Sequence, residues 1–147
     1  MRNITRALIT AGAAVLTMTG TATTASAAAN PADACGPGFF VQESQELGRY
    51  QPTGGPQATV HLLYNASTGE NCAVTVVTGG KNQGTVGAGL RIEGDEDFTR
   101  DEGAFNSYAG PVKLRANGKC VQYYGSTQYW GGRLMYDEYI SPFGHCG

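Results

Sequence analysis

Two runs decide the fold: Ala58-Thr59-Val60-His61-Leu62-Leu63-Tyr64 and Asn71-Cys72-Ala73-Val74-Thr75-Val76-Val77-Thr78, joined by Asn65-Ala66-Ser67-Thr68-Gly69-Glu70. Both are rich in β-branched and aliphatic residues, which fit a pleated, buried surface. In the first run Val60, Leu62 and Tyr64 share one face, and His61 and Leu63 share the other. In the second, Cys72, Val74 and Val76 share a face. Both strands carry apolar residues on both sides near their centres, so they belong to a covered sheet, as in a sandwich or closed barrel. The linking turn contains the glycine that a positive φ requires, and the pair reads as a hairpin.

Upstream, Gly38 to Val41 reads as a first short strand, and residues 42–56 read as polar and then turn-rich, ending in Gln51-Pro52-Thr53-Gly54-Gly55-Pro56. Downstream comes a turn over 79–84, then a strand from Thr85 to Glu93 in which Gly87 and Gly89 suggest a bulge or bend. Residues 94–103 read as an acidic loop, and Ala109-Gly110-Pro111 as a turn. Val112 to Ala116 alternates, with Lys113 and Arg115 outward, and Lys119 to Tyr124 returns after Asn117-Gly118, a two-residue hairpin signal. A last strand runs from Arg133 to Ile140 behind Gly131-Gly132. Nothing after residue 27 shows a long apolar stripe of helical period. The expected architecture is all-β: a small disulfide-stabilised sandwich or barrel of about seven or eight short antiparallel strands.

The chain has 147 residues, a net charge of −2 and 22 glycines. That length suits one domain. Arg2 and Arg6 precede an apolar stretch from Ala7 to about Met18, followed by small residues through Ala29. This is the layout of a secretory signal peptide, with cleavage expected between Ala27 and Ala28 and Ala29 as the second choice. The apolar part is shorter than the ~20 residues that span a bilayer, so the exported protein is expected not to be transmembrane. The expected organisation is a signal peptide over 1–27, a loose leader over 28–37 and one β domain over 38–147. Export removes two of ten basic residues, leaving 8 against 12 acidic ones, a charge of −4. With no basic cluster, a grip on nucleic acid is not expected.

Cys35, Cys72, Cys120 and Cys146 all lie in the exported part. In an oxidising compartment an even count reads as two disulfides, with three possible connectivities. Cys72–Cys120, joining two strands, is the favoured pair, and Cys35–Cys146 would tie the chain ends. A buried Cys72–Cys120 bridge conflicts with a tight Asn117-Gly118 hairpin, which sets Cys120 beside Arg115 instead. No C-x-x-C spacing points to a metal site, and none is expected.

Chemistry is sparse. His61 sits in an apolar strand and His145 beside Cys146, so neither reads as a general base. Serine-esterase, zincin, P-loop and dinucleotide-binding motifs are missing from the sequence. No cofactor and no catalytic residue is expected. Asp95, Asp97 and Asp101 lack the spacing of an EF-hand and read as a solvated loop. Asn65-Ala66-Ser67 is a formal glycosylation sequon. Aromatics are dense near the C-terminus, and Tyr124, Tyr129 and Trp130 are candidates for stacking on sugars or anchoring a protein.

Five pieces stand out together: Ala34-Cys35-Gly36-Pro37-Gly38-Phe39, the stretch from Val60 to Val74, Asp101-Glu102-Gly103, Tyr108-Ala109-Gly110-Pro111-Val112 and Gly118-Lys119-Cys120-Val121. In combination they resemble the secreted spore-associated protein A family of actinobacteria. The resemblance covers most of residues 34–125 and none of the tail 126–147. It implies a secreted, non-enzymatic protein at the spore or aerial-hypha surface, with that surface or the cell wall as partner. The alternatives are a secreted binding module, either a protease inhibitor or a polysaccharide binder, and last a small hydrolase working through His61.

Overall fold

In the computed structural model, residues 29–49, 55–78, 84–130 and 133–147 are described, the last stretch of β7 at Trp130 by its backbone alone. The signal peptide, its cleavage point between Ala27 and Ala28, most of the turns over 51–56 and 79–84, Gly131-Gly132 and the Trp130 side chain lie outside the described residues. One short helix, α1 (Pro31–Cys35), precedes eight strands: β1 (Phe40–Leu47), β2 (Ala58–Asn65), β3 (Glu70–Val77), β4 (Val86–Ile92), β5 (Thr99–Gly103), β6 (Tyr108–Arg115), β7 (Val121–Trp130) and β8 (Leu134–Ile140). They form two four-stranded antiparallel sheets, ordered β1-β2-β3-β6 and β5-β4-β7-β8. The expected all-β class holds, and of the two expected architectures, sandwich and barrel, the fold is the sandwich.

The expected hairpin of β2 and β3 is present, and its register sets Asn65 opposite Glu70. Asn65 braces its turn: the side-chain oxygen accepts from the Ser67 and Thr68 amides, and its Nδ2 donates to the Pro37 carbonyl. The Asn65 amide of the sequon is thus a buried turn brace, 5% exposed. Val60, Leu62, Ala73 and Val112 of the first sheet pack on Leu90, Val121 and Tyr123 of the second, which makes the main core.

The outer face of β2 and β3 is covered by a third layer. Leu63, Cys72, Val74 and Val76 pack against Cys35, Phe39 and the alanines of α1. Residues 28–37 are therefore not a loose leader over their described part. Asn30 caps α1 by accepting from the Ala32 amide, Pro31 takes the first turn, and Gly36 ends it at φ 97°. Five residues are too few to show a periodic stripe, so the helix was not legible in the pattern.

The disulfides are Cys35–Cys72 and Cys120–Cys146, which corrects both expected pairs. Cys72 faces outward to α1, whereas Cys120 leads into β7 of the opposite sheet. A Cys72–Cys120 bond would have to pass through the first sheet. The hairpin at Asn117-Gly118 is likewise corrected. The two residues do adopt positive φ, 52° and 83°, and Lys119 N–H donates to the Ala116 carbonyl. Yet β6 pairs with β3 and β7 with β4, so the turn carries the chain from one sheet to the other. The conflict between register and disulfide disappears because the pairing that caused it does not exist.

Three further segments differ from the reading. Strand β1 runs on to Leu47, and part of the acidic loop forms β5. Each is an edge strand, paired on one side only and mostly exposed, so neither needs alternating apolar residues. Ala109-Gly110-Pro111 lies inside β6, with a cis Gly110–Pro111 bond. Gly110 adopts φ 93°, and a side chain there would sit 2.6 Å from the Ala73 carbonyl oxygen. The β3–β6 register shifts between Ala73 and Thr75 at this point. Finally, β4 shows no bulge at Gly87 and Gly89, because both pair regularly with β5 and β7. Their missing side chains make room for the Tyr124 ring.

Candidate functional site: the outer face of the second sheet

Pairing across β5, β4, β7 and β8 sets Glu102, Gly87, Ser126 and Glu138 in one row, and Arg100, Gly89, Tyr124 and Ile140 in the next. These residues point away from the core residues Ala88, Leu90 and Tyr123, so they form the sheet's outer face. The two glycines leave a trough that the Tyr124 ring occupies. The Arg100 guanidinium stacks over it at 4.3 Å and lies 5.1 Å from the Phe98 centroid. Phe98 and Tyr124 are 5.8 Å apart, centre to centre. Arg91 lies between Phe98 and Phe143, at 4.9 and 5.3 Å, and its Nε donates to Gln122 Oε1. Guanidinium planes held on aromatic rings are a cation–π arrangement that keeps charge on an otherwise apolar patch.

At the β8 edge of the same face, Tyr136 donates to Glu138 Oε2 at 2.7 Å and its hydroxyl lies 3.2 Å from that of Tyr124. Burial, then these two partners, push the Tyr136 phenol well above its usual range, so it stays protonated. Leu134, Tyr136, Ile140 and Phe143 are exposed, at 57, 49, 45 and 41%. The face therefore offers aromatic and aliphatic contact area, two stacked arginines and two carboxylates, an assortment typical of recognition surfaces.

Of the aromatics singled out from sequence, Tyr124 belongs to this face but is 1% exposed beneath Arg100, and Tyr129 is 3% exposed. Neither serves as a surface-binding side chain. Among the described residues, the exposed rings here are Tyr136 and Phe143. The alternation of β8 would have found Tyr136; Phe143, in the irregular tail, carried no such signal.

The histidines are both in contacts. His61 Nδ1 is 2.7 Å from Ser44 Oγ across the β1–β2 pair, and burial lowers the His61 pKa below its ordinary 6.5. His145 Nε2 is 3.0 Å from Glu43 Oε2, which ties the tail to β1. Asp101 accepts from the Gly110 amide at 2.7 Å and braces β5 on β6. Among the described residues, no three His, Cys, Asp or Glu side chains gather as metal ligands, and no helix is long and apolar enough to cross a membrane.

The sequence is 40% identical over 126 residues to spore-associated protein A of Streptomyces coelicolor, covering 83% of this chain and 77% of that protein. The chain belongs to the spore-associated protein A family. This family member matches no protein-family model and no solved structure. Its spore-related place thus rests on the curated relative, and its architecture on the chain's own strands.

Proposed function

We propose that this chain is a secreted, non-enzymatic protein that attaches to the spore or aerial-hypha surface through the outer face of its second sheet. The 40% identity to a spore-associated protein carries the reading. Export is supported by the N-terminal layout and by four cysteines engaged in two disulfides, a state favoured outside the cytosol. Attachment is supported by the exposed Leu134, Tyr136, Ile140 and Phe143 beside the stacked arginines. The absence of catalysis is supported by the work the histidines already do: His61 ties two strands and His145 ties the tail.

Fractionating spores, mycelium and medium with an antibody tests this. The expected result is protein on the spore fraction, released by denaturant. Protein found only in the medium would remove the surface role.

A further inference from the structure

At the end of the sandwich where the β2–β3 turn, the Asn117-Gly118 turn and the tail meet, two adjoining cavities share Tyr64, Gly69 and Gly147. The inner chamber measures about 190 Å³ and the outer vestibule about 480 Å³. Together they have the size of a small-molecule site.

The register explains what lines the chamber. Tyr64, Asn71 and Leu114 lie side by side on β2, β3 and β6, beyond the core row Leu62, Ala73 and Val112. Asn71 is 3% exposed and borders the chamber, and its side-chain amide has no hydrogen-bond partner among the described residues. Asn65, equally buried in the neighbouring turn, uses its amide in three bonds. The Asn71 amide is not among the side-chain groups shut off from solvent without a partner, so it opens onto the chamber, where water or a ligand can pair with it. Around Asn71 the chamber is lined by Ala116, Cys146 and the half-buried Tyr64, together with Gln42 and His145. The vestibule adds Ser67, Thr68, Arg115 and Asn117, all exposed.

We propose that this cleft binds an N-acetylated sugar unit of a polysaccharide. An amide presents donors and an acceptor together, and another amide complements it. The acetamido group enters the chamber and pairs with Asn71, its methyl meeting Ala116 and the Cys120–Cys146 bridge. The sugar ring lies on Tyr64, and its hydroxyls meet the polar vestibule. A charged group would find no counter-charge in the chamber, where His145 is already engaged by Glu43.

The test is titration of the exported chain with N-acetylglucosamine trimer, with cellotriose, which has hydroxyls in place of the acetamido groups, and with an uncharged acetylated tripeptide amide. Calorimetry gives affinities, and amide NMR shifts on the unsubstituted chain map the site. The expected result is saturable binding of the trimer, shifts centred on Tyr64, Asn71 and Ala116, and cellotriose at least tenfold weaker. Asn71→Ser should weaken the trimer at least tenfold, while Arg133→Ala leaves it unchanged. No saturable binding, equal binding of cellotriose, tighter binding of the peptide, or shifts confined to β8 would each overturn the proposal. The NMR map decides even if Asn71→Ser fails to fold. No spore is used, so failure here is separate from failure of surface attachment.

Discussion

Gly125 on β7 lies directly against Val60 on β2. A Cβ at position 125 would sit 2.4 Å from the Val60 Cβ, closer than side chains approach. The two sheets meet at van der Waals distance there, and overpacking costs about 1–3 kcal/mol. Gly125→Ala should lower stability by at least that much in denaturant unfolding. Val60→Ala alone also destabilises, by opening a cavity, but the double variant should recover part of the Gly125→Ala loss. Additive effects would show that the sheets do not meet at this pair.

The two disulfides close loops of 37 and 26 residues. In the chain-entropy account each is worth about 3–4 kcal/mol. Replacing Cys35 and Cys72 by serine should destabilise the domain by that order and also loosen α1, since Cys35 is its anchor on the sheet. Hydrogen exchange on Ala32 to Gly36 should then accelerate first. Replacing Cys120 and Cys146 should leave α1 protected and release the tail. Non-reducing peptide mapping that returned a Cys72–Cys120 peptide would contradict this arrangement.

His61 gives the fold a pH dependence of known sign. Burial disfavours its charged form, so its pKa in the folded protein lies below the ordinary 6.5. The unfolded chain therefore takes up this proton first as pH falls. Neutral His61 favours the fold fully above pH 6.5, and that contribution is lost progressively as pH drops toward the lower folded-state value. Midpoints in urea should fall across this window, and His61→Gln should flatten the slope. A slope unchanged by the substitution would place the titration elsewhere.

Tyr136 and Phe143 are exposed rings on the second sheet's outer face. Converting both to serine should reduce retention on spores several-fold while circular dichroism and the thermal midpoint stay near those of the parent. Loss of the Tyr136 contact to Glu138 costs little, because that pair is solvent-exposed. Retention equal to the parent would move the attachment surface away from β8.

The central strands were legible because burial on both faces leaves a dense apolar record, as in β2, β3 and β4. Edge strands left almost none. β1 reads Gln42-Glu43-Ser44-Gln45-Glu46 and β5 reads Thr99-Arg100-Asp101-Glu102, polar runs that become strands through pairing to a neighbour. The candidate surfaces were less legible still. Tyr124 and Tyr129 looked like binding aromatics, but a ring's exposure depends on what the facing sheet or a stacked arginine covers. Asn71 drew no notice, because a polar residue beside a strand's start resembles any turn residue until its neighbours on β2 and β6 are known.

The sequence by itself determined the all-β class, the β2–β3 hairpin and the kinship, since these depend on local periodicity, turn chemistry and residue identity. Only the tertiary structure decided which cysteines meet, that Asn117-Gly118 joins two sheets, and where exposed and buried polar groups collect. The physical reason is that one turn sequence accepts either a hairpin or a crossing between layers. The choice lies in where the flanking strands bury their apolar faces: β6 on β3, and β7 on β4.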